Sequence, residues 1–466
     1  MRLTPTVLLA VVTLAGCAVP EAHPALTRKP ADALGLSATP APAIASDWWR
    51  SFGDPQLDRL VADALAGGPS LDTAMARVRQ ASALLAADRA NDGPNVSLDS
   101  NVQGARLSGR YQIPPPYAGT VRFVGTAQAG LNWNLDLFGR QKAVIAQARN
   151  SVRAASLDMA AARLALAGSV VQTYVDLSRT ERQEAIAVRT IRAREAALQL
   201  VNVRIRNKLA SNLDRTAAQV LLDQARQAQV RAQSARTIST HALAALAGRG
   251  ADYAAGIAPA NLQLDAAIPL PTSVPADLLA RRPDIAAALA RIDAASSGQL
   301  AAQRAFYPDI NLAALIGVQA IDIGNFFNPD AAMAGVGSAI HLPIFDNGRL
   351  KANLEGATAG IDLAVADYNS RVIEAVRDAS DTLTRVASLD ADRASQREIV
   401  KGLAETGRLN RVRVASGLNS RLDLVDSDVR LLEAEQAETN LAAEAAAQRV
   451  ALVLALGGGF DPKEVK

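Results

Sequence analysis

Proline placement constrains this chain more than any other feature of its sequence. None of its 21 prolines lies within 117–258 or within 344–461. Because an interior proline removes a helical hydrogen bond and clashes with the preceding turn, only in these stretches can a long helix run unbroken. From residue 139 to about 208 such a helix would rise roughly 100 Å at 1.5 Å per residue. The spacing therefore predicts two helical stretches longer than an ordinary domain.

Apolar residues repeat every seven positions within these stretches. In the second one, Leu354, Ile361 and Tyr368 alternate with Ala357 and Ala364. An alternation of large and small side chains at heptad spacing is typical of closely packed coiled-coil helices. The composition favours the same structure, because only 4% of the residues are aromatic although 49% are hydrophobic, and such chains suit packed helices better than a large globular core.

Alternating apolar and polar residues predict four strands, two ahead of each long helix. The period-two patterns cover 96–102, 131–137, 310–316 and 336–344. One apolar face and one polar or small face is the weak signature of an outer-membrane strand. A half-buried hairpin of a soluble protein has the same pattern, so the alternation alone leaves both interpretations open.

The two halves of the chain match each other. Residues 136–140 (DLFGR) resemble 344–349 (IFDNGR), and residues 211–214 (SNLD) resemble 420–423 (SRLD). Each half therefore predicts a short helix, two strands, a long helix, a turn and a further helix. The predicted boundaries are a first repeat at 48–250, a linker at 251–275, a second repeat at 276–456 and a tail at 457–466. Strands are predicted at about 95–109, 121–137, 308–320 and 332–344, and long helices at about 139–247 and 348–456.

Four strands are too few to close a membrane barrel. The smallest bacterial barrels have about 8 strands, and an open sheet edge is untenable in lipid. If the strands enter a membrane, the chain must therefore associate with copies of itself, and three chains would supply twelve strands.

The N-terminus has the pattern of a bacterial lipoprotein. Arg2 precedes a short apolar segment at 7–14, and the sequence LAGC ending at Cys17 reads as a lipobox. This pattern predicts a signal peptide at 1–16 and lipidation of Cys17, the only cysteine of the chain. Ala18, where an aspartate would signal retention, resembles the sorting rule for the outer membrane. The proline-rich segment 17–47 then predicts an extended, lipidated tether. The alternatives are an ordinary buried cysteine and an uncleaved anchor, although the apolar segment is too short to span a bilayer.

Composition argues against catalysis and against nucleic-acid binding. The 49 basic and 46 acidic residues nearly balance, so no nucleic-acid partner is expected. With 3 His and 1 Cys, the chain can form no internal disulfide and has little from which to build a metal centre. The glycines of 457–459 lack the GK[ST] of a phosphate-binding loop and are better interpreted as a helix stop. We therefore expect no enzyme activity, no cofactor and no metal. Outside the N-terminal segment, no run of 18 or more apolar residues predicts a transmembrane helix.

Several short stretches, in order and at matching spacing, resemble one protein family. They are WWRSFGDPQL at 48–57, LDTAMARVRQA at 71–81, LARRPDI at 279–285, AFYP at 305–308 and LPIFDNGR at 342–349. Each alone is weak, but together they identify the chain as a member of the outer membrane factor, or TolC-like, family. The resemblance runs from about Trp48 to Leu456 and is closest to the lipoprotein branch of efflux-pump outer membrane subunits.

The resemblance implies a fold that is mainly α with β. It implies a homotrimer with a twelve-stranded β-barrel in the outer membrane, four strands from each chain, and a long α-helical barrel in the periplasm. Such a protein is a passive exit duct for drugs or other small molecules. A periplasmic adaptor protein and an inner-membrane transporter, of the RND type in the drug-pump branch, complete the assembly. The near rivals are a duct for type I protein secretion or for metal-ion efflux. A rival of another class is a structural or adaptor lipoprotein of the periplasm without a pore.

The resemblance also implies a gate at the turn that follows each long helix. The family's motif places acids six and nine residues after a glycine, which here are Asp423 and Asp426 after Gly417. Residues three apart share a helix face, so in a trimer these acids would form two rings that repel one another and attract cations. The plainer alternative is that both are solvated acids of a helix face. Asp214 matches the acid in the first half, where Lys208 replaces the glycine and predicts a less sharply bent turn.

The family's gate contacts do not carry over whole. Val414 and Asn419 stand where a TolC-like gate has a tyrosine and an arginine. Arg411, Arg413 and Arg421 are possible local substitutes, although each also suits a solvated position on a coiled coil.

Overall fold

The described part of the chain is mainly helical with one four-stranded sheet. The computed structural model describes residues 22–30, 34–36, 44–110, 113–265, 271, 273–275 and 278–461. A 3₁₀ turn at Trp48–Phe52 is followed by α1 (Pro55–Gly67), α2 (Pro69–Ala90), β1 (Asn95–Arg106), β2 (Val121–Leu135), α3 (Arg140–Arg206), α4 (Asn212–Leu246), α5 (Ala251–Ala255), α6 (Leu278–Arg281), α7 (Pro283–Arg304), β3 (Asp309–Ile321), β4 (Ala332–His341), α8 (Arg349–Ala415) and α9 (Arg421–Ala455), with two short 3₁₀ turns between β3 and β4.

The internal repeat is confirmed by the helix lengths. The helix before each strand pair, α2 or α7, has 22 residues. Both long helices, α3 and α8, have 67 residues. The helices that return from them, α4 and α9, both have 35 residues. Each half therefore has the predicted order of short helix, two strands, long helix, turn and helix.

β2 and β4 end earlier than the alternation predicts. β4 stops at His341 rather than near residue 344, because Pro343 lacks the N–H that a ladder requires. β2 stops at Leu135 rather than at residue 137, because the chain turns there and the Leu137 N–H donates to the Leu135 carbonyl at 2.8 Å. The apolar periodicity continues past both points, so the pattern alone could not show these ends.

The chain divides into two compact units. Of the described residues, those within 22–28, 78–154 and 288–368 form unit 1, and those within 29–77, 155–287 and 369–461 form unit 2. The sheet lies in unit 1. There the predicted heptad stripe of α8 is confirmed, because Leu354, Ile361 and Tyr368 are all buried.

The core of unit 2 is built around α3. Leu166, Val170, Val171 and Leu177 of this helix are buried together with residues of α1, α4 and α9. Among the described residues, α3 is the one helix that is long and apolar enough, by length and composition, to cross a membrane. About two fifths of its most apolar segment is buried in the protein, and Leu166, Val170 and Val171 are among the buried residues of the helix.

Asp54 is a buried polar anchor in the same core. Its carboxylate accepts hydrogen bonds from the Tyr174 hydroxyl at 2.6 Å, from the Gln56 N–H at 2.9 Å and from the Asn261 N–H at 2.8 Å. Burial alone would raise the pKa of Asp54, but these hydrogen bonds outweigh it and hold the pKa below its ordinary value. The network ties the N-terminus of α1, the middle of α3 and the predicted linker together within unit 2.

The predicted helix stop at the triple glycine is confirmed. α9 ends at Ala455, and Gly457 takes a left-handed conformation with φ 92°. The Gly458 N–H donates to the Val453 carbonyl at 2.8 Å, which closes the helix as a Schellman motif.

Some predictions concern residues outside the described ranges. These are the signal peptide at 1–16 and the lipidation of Cys17, together with parts of the tether at 17–47, the linker at 251–275 and the tail at 457–466.

Candidate functional site

The sheet of unit 1 separates apolar from polar side chains. Its order is β1-β2-β3-β4, antiparallel throughout. Directly paired residues of antiparallel strands project to the same face, so the register assigns every side chain to a face. The first face, called the apolar face from here on, carries Val96, Leu98, Ser100, Val102, Gly104 and Arg106; Val121, Phe123, Gly125, Ala127, Ala129, Leu131, Trp133 and Leu135; Ile310, Leu312, Ala314, Ile316, Val318 and Ala320; and Ala332, Ala334, Val336, Ser338 and Ile340. Arg106, at the end of β1, is its one charged residue.

The opposite face is rich in amides and in small side chains. We call it the polar face. It carries Asn95, Ser97, Asp99, Asn101 and Gln103; Arg122, Thr126, Gln128, Gly130 and Asn132; Asp309, Asn311, Ala313, Gly317 and Gln319; and Gly335, Gly337, Ala339 and His341, with Val124, Leu315, Ile321 and Met333 as its large apolar exceptions. The apolar positions of the predicted alternation, such as Leu98, Leu131 and Leu312, therefore lie on one common face.

The apolar face is uncovered within one chain. Leu98 is 77% exposed, Ile316 67% and Val336 89%. A contiguous apolar patch of this kind marks an interaction with protein or membrane. The sheet also has two open edges, because neither β1 nor β4 pairs with a further strand in the described part of the chain.

Each long helix of unit 2 returns through a short turn. We call residues 207–211, between α3 and α4, the first hairpin turn, and residues 416–420, between α8 and α9, the second hairpin turn. Polar contacts join the two arms beyond each turn, such as Arg226 to Glu195 at 3.4 Å and Arg411 to Asp428 at 3.9 Å.

The two hairpin turns have the same backbone geometry. In the second, Gly417 has φ 73°, and the Leu418 N–H donates to the Arg413 carbonyl at 2.8 Å. In the first, Lys208 has φ 59°, and the Leu209 N–H donates to the Arg204 carbonyl at 2.8 Å. Both are Schellman closures with a left-handed residue at the position after the cap.

The prediction that Lys208 makes the first turn less sharply bent is therefore wrong. The 5→2 hydrogen bond is also present in both turns, from Lys208 N–H to the Ile205 carbonyl at 2.9 Å and from Gly417 N–H to the Val414 carbonyl at 3.1 Å. The turn imposes a left-handed conformation whichever residue occupies the position, and a lysine accepts it at a conformational cost.

Two of the three predicted gate acids also cap helices. The Asp214 carboxylate accepts from the Ser211 N–H at 2.7 Å and the Ser211 hydroxyl at 2.8 Å. Asp423 accepts from the Ser420 N–H at 3.0 Å and hydroxyl at 2.9 Å. Each serine hydroxyl accepts the N–H of its aspartate in return, so both form capping boxes. Sequence reasoning missed this role, although Ser-x-x-Asp ahead of a helix is close to the capping-box signature.

The capping box affects the charge of Asp214. The hydrogen bonds from the Ser211 backbone and side chain hold the pKa of this exposed carboxyl below its ordinary value. An ionised side chain in the first turn also interacts favourably with the helix dipole. Asp214 is therefore ionised and locally engaged at neutral pH.

Asp426 differs from the other two acids. It lies one turn further into α9, is exposed, and takes no part in the capping box. At the position equivalent to Asp426 in α4 stands Ala217. The hairpin therefore brings Asp423 and Asp426 to the first two turns of α9, but only Asp426 is a carboxylate without a capping role.

No group of three or more His, Cys, Asp or Glu side chains in the described ranges is arranged to hold a metal ion. The hairpins present exposed carboxylates near the starts of capped helices.

Comparison with known proteins identifies relatives over most of the chain. The family described as "Outer membrane efflux protein" matches residues 60–249 and 274–458. A fusaric acid resistance protein, FusA, of Burkholderia cepacia is 34% identical over 366 residues, which are 76% of this chain and 69% of the relative. A multidrug resistance outer membrane protein, MdtQ, of Escherichia coli O157:H7 is 27% identical over 460 residues, 96% of each chain.

A solved structure has the same fold. The crystal structure of the outer membrane protein VceC from Vibrio cholerae superimposes with a TM-score of 0.80 at 29% identity, covering 90% of this chain and 100% of that one.

Proposed function

This chain belongs to the outer membrane efflux protein family, and on that premise we propose that it is the outer-membrane exit duct of a tripartite efflux pump. In this proposal it is a gated trimeric channel that passes drugs or other small molecules from the periplasm to the exterior. Relatives described by resistance to fusaric acid or to multiple drugs support this class of cargo.

The observation that carries the proposal is the sheet of unit 1. One face is apolar along all four strands and exposed, and the other is polar. The sheet of a membrane barrel divides its side chains in this way, with apolar residues toward lipid and polar residues toward the lumen. A soluble hairpin would have to bury the apolar face against a core.

The open edges of β1 and β4 support the trimer. Unpaired edge groups are costly in lipid, and three copies that pair edge to edge would close twelve strands without a free edge. A closed ring of copies gives the sheet both an apolar outer face and no free edge, and the family resemblance makes three the expected number of copies.

The partners and the location follow from the same proposal. The chain has no nucleotide-binding loop, so the energy would come from an inner-membrane transporter of the RND type, joined to the duct by a periplasmic adaptor. We propose the outer membrane as its location, with the bulk of the chain in the periplasm and a lipid on Cys17.

We propose that the second hairpin turn contributes the gate, with Asp426 and Asp423 as its acids and Gly417 as the residue of its bend. Asp214 and Lys208 are their counterparts in the first hairpin turn. The exposure of these acids and their position on capped helix starts support the role.

Single-channel conductance in a planar bilayer tests the duct and the gate together. The purified full-length wild type should give a small, cation-selective conductance that grows in the Asp423→Ala, Asp426→Ala double variant. In this proposal the acids also tie neighbouring helices shut through hydrogen bonds or arginine partners. Their removal therefore widens the opening and lets larger cargo through, so cells with the variant should become more sensitive to bulky antibiotics.

The capping boxes supply a matched control. Ser420→Ala breaks the capping box but keeps the Asp423 charge, whereas Asp426→Asn removes a charge and leaves the box intact. A gate made by charge responds to Asp426→Asn and not to Ser420→Ala. A response to Ser420→Ala alone would assign the effect to helix capping and contradict the gate. A trimer that never inserts into the bilayer would contradict the duct and favour a structural lipoprotein.

A further inference from the structure

The polar face of the sheet carries one charge without a compensating partner. Asp99 lies in β1 opposite Gln128 of β2, and its carboxylate accepts a hydrogen bond from the Ser97 hydroxyl at 3.0 Å. No ion pair of the described residues includes Asp99, whereas two other acids of the sheet region, Asp322 and Asp309, each pair with an arginine.

The remaining charges of this face are neutralised where they stand. At one end, Arg122 pairs with Asp322 at 3.1 Å. At the other end, Asp309 pairs with Arg140 at 3.4 Å and lies directly opposite His341. Between these ends the face carries amides, hydroxyls and small or apolar side chains, so Asp99 is its one uncompensated carboxylate.

We propose that Asp99 sets the ion selectivity of the strand-lined part of the duct. This inference rests on the proposed trimeric duct, in which the apolar face meets lipid and the polar face therefore lines the lumen. Three symmetry-related copies of Asp99 then lie at one level of the wall and form a ring with a charge of about −3. Such rings of acidic side chains favour cations over anions.

The surroundings of Asp99 allow its field to reach the lumen. Its neighbours at the same level are Gln128, Gly317 and Met333, none of which carries a positive charge. Asn101 and Gln103, further along the same strand and face, are neutral as well. Only mobile ions of the solution can screen the ring, so its effect must depend strongly on salt.

The expected size follows from Coulomb's law. Three unit charges about 15 Å from the lumen axis in water, with the Debye length of about 30 Å at 10 mM salt, change the ratio of cation to anion permeability roughly fivefold. At 1 M salt the Debye length is about 3 Å, and the same charges have almost no effect.

Reversal potentials of the full-length protein in planar bilayers test the proposal, with KCl gradients around 10 mM and around 1 M. Asp99→Asn keeps the size of the side chain and an acceptor for Ser97, and should lower the K⁺ to Cl⁻ permeability ratio about fivefold in the dilute gradient only. Asn101→Asp, which adds a carboxylate to the same face, should raise the ratio. Asp330→Asn, which removes a carboxylate outside the strands, is the positional control and should change it much less.

The outcomes separate this inference from the function on which it rests. Conductance with an unchanged ratio in Asp99→Asn overturns the selectivity ring and leaves the duct standing. An equal effect of Asp330→Asn also overturns it, because the selectivity would then come from the general charge near the opening. A trimer without conductance overturns the duct and the ring together.

Discussion

Replacing the left-handed residue of each hairpin turn should change the stability of the two turns in opposite directions. Lys208 has φ 59° in a turn that has the same hydrogen bonds as the turn at Gly417. A left-handed conformation costs an L-residue roughly 1–2 kcal/mol, whereas glycine adopts it freely but loses about 0.5–1 kcal/mol more in chain entropy on folding. Lys208→Gly should therefore stabilise the first hairpin turn by about 0.5–1 kcal/mol.

The reciprocal change should destabilise the second hairpin turn. A Cβ at Gly417 would meet no atom within 4 Å, so Gly417→Ala adds no steric clash and tests backbone conformation alone. We expect a loss of about 1 kcal/mol. Gly402 is the matched control, because a Cβ there also meets nothing within 4 Å but the residue lies inside α8. Gly402→Ala should stabilise its helix by about 0.5–1 kcal/mol.

Hydrogen exchange of the full-length protein measures each turn separately. The amides to follow are those of Leu209 and Leu418, whose hydrogen bonds close the two turns. Local opening free energies are read directly from exchange protection, and the expected changes correspond to roughly two- to fivefold in protection. Lys208→Gly should slow exchange at Leu209, and Gly417→Ala should accelerate it at Leu418.

The signs decide the outcome. If Gly417→Ala raises the protection of the Leu418 amide, just as Gly402→Ala should raise the protection of the amides around it in α8, glycine is not needed for the left-handed conformation. If Lys208→Gly leaves Leu209 unchanged, the lysine side chain stabilises the turn by contacts that compensate its backbone cost. Either result would refute the argument from φ.

Three further predictions concern the sheet and the core of unit 2. Leu98→Lys places a charge on the apolar face and should destabilise membrane-inserted protein by about 2–4 kcal/mol, measured by urea unfolding in vesicles. Gly168→Val should lower the melting temperature, since a Cβ at Gly168 would clash with the Leu454 side chain and overpacking of this kind costs typically about 1–3 kcal/mol. Tyr174→Phe removes a hydrogen bond to Asp54 and should cost about 1–2 kcal/mol in unfolding at neutral pH. The folded-state pKa of Asp54 is lowered from 3.8. The stability that this carboxylate contributes is therefore fully present above its unfolded-state pKa and is lost as the pH falls through its folded-state pKa. Because Tyr174→Phe weakens this contribution, the variant should lose less stability than the wild type over that pH range.

Sequence patterns predicted the elements of this fold better than their ends. The proline-free stretches identified both long helices, because proline exclusion acts on the local backbone. The exclusion of proline from a strand interior also predicts that β4 ends before Pro343. The apolar alternation continues to residue 344, however, and therefore predicted a longer strand. Which residues of neighbouring strands face each other depends on register, so the common apolar face became visible only with the pairing of all four strands.

The candidate gate was predicted less completely. The spacing of Gly417, Asp423 and Asp426 located the second hairpin turn, but a spacing cannot show that Asp423 shares a capping box with Ser420. Nor could the presence of Lys208 show that the first turn keeps its bend, because a turn closed by backbone hydrogen bonds can impose a left-handed conformation on a residue that disfavours it. Both gaps arise where backbone hydrogen bonding, rather than side-chain pattern, decides the conformation.

The equal lengths of the duplicated helices mean that nearly every position on a hairpin has a counterpart in the same polypeptide. α3 begins at Arg140 and α8 at Arg349, 209 residues later, and Asp426 accordingly corresponds to Ala217. One hairpin can therefore differ at such a position while its counterpart keeps the shared architecture. In a trimer with six such hairpins, the second acid would recur three times rather than six, and alternate hairpins would respond differently to the same ion or the same applied force.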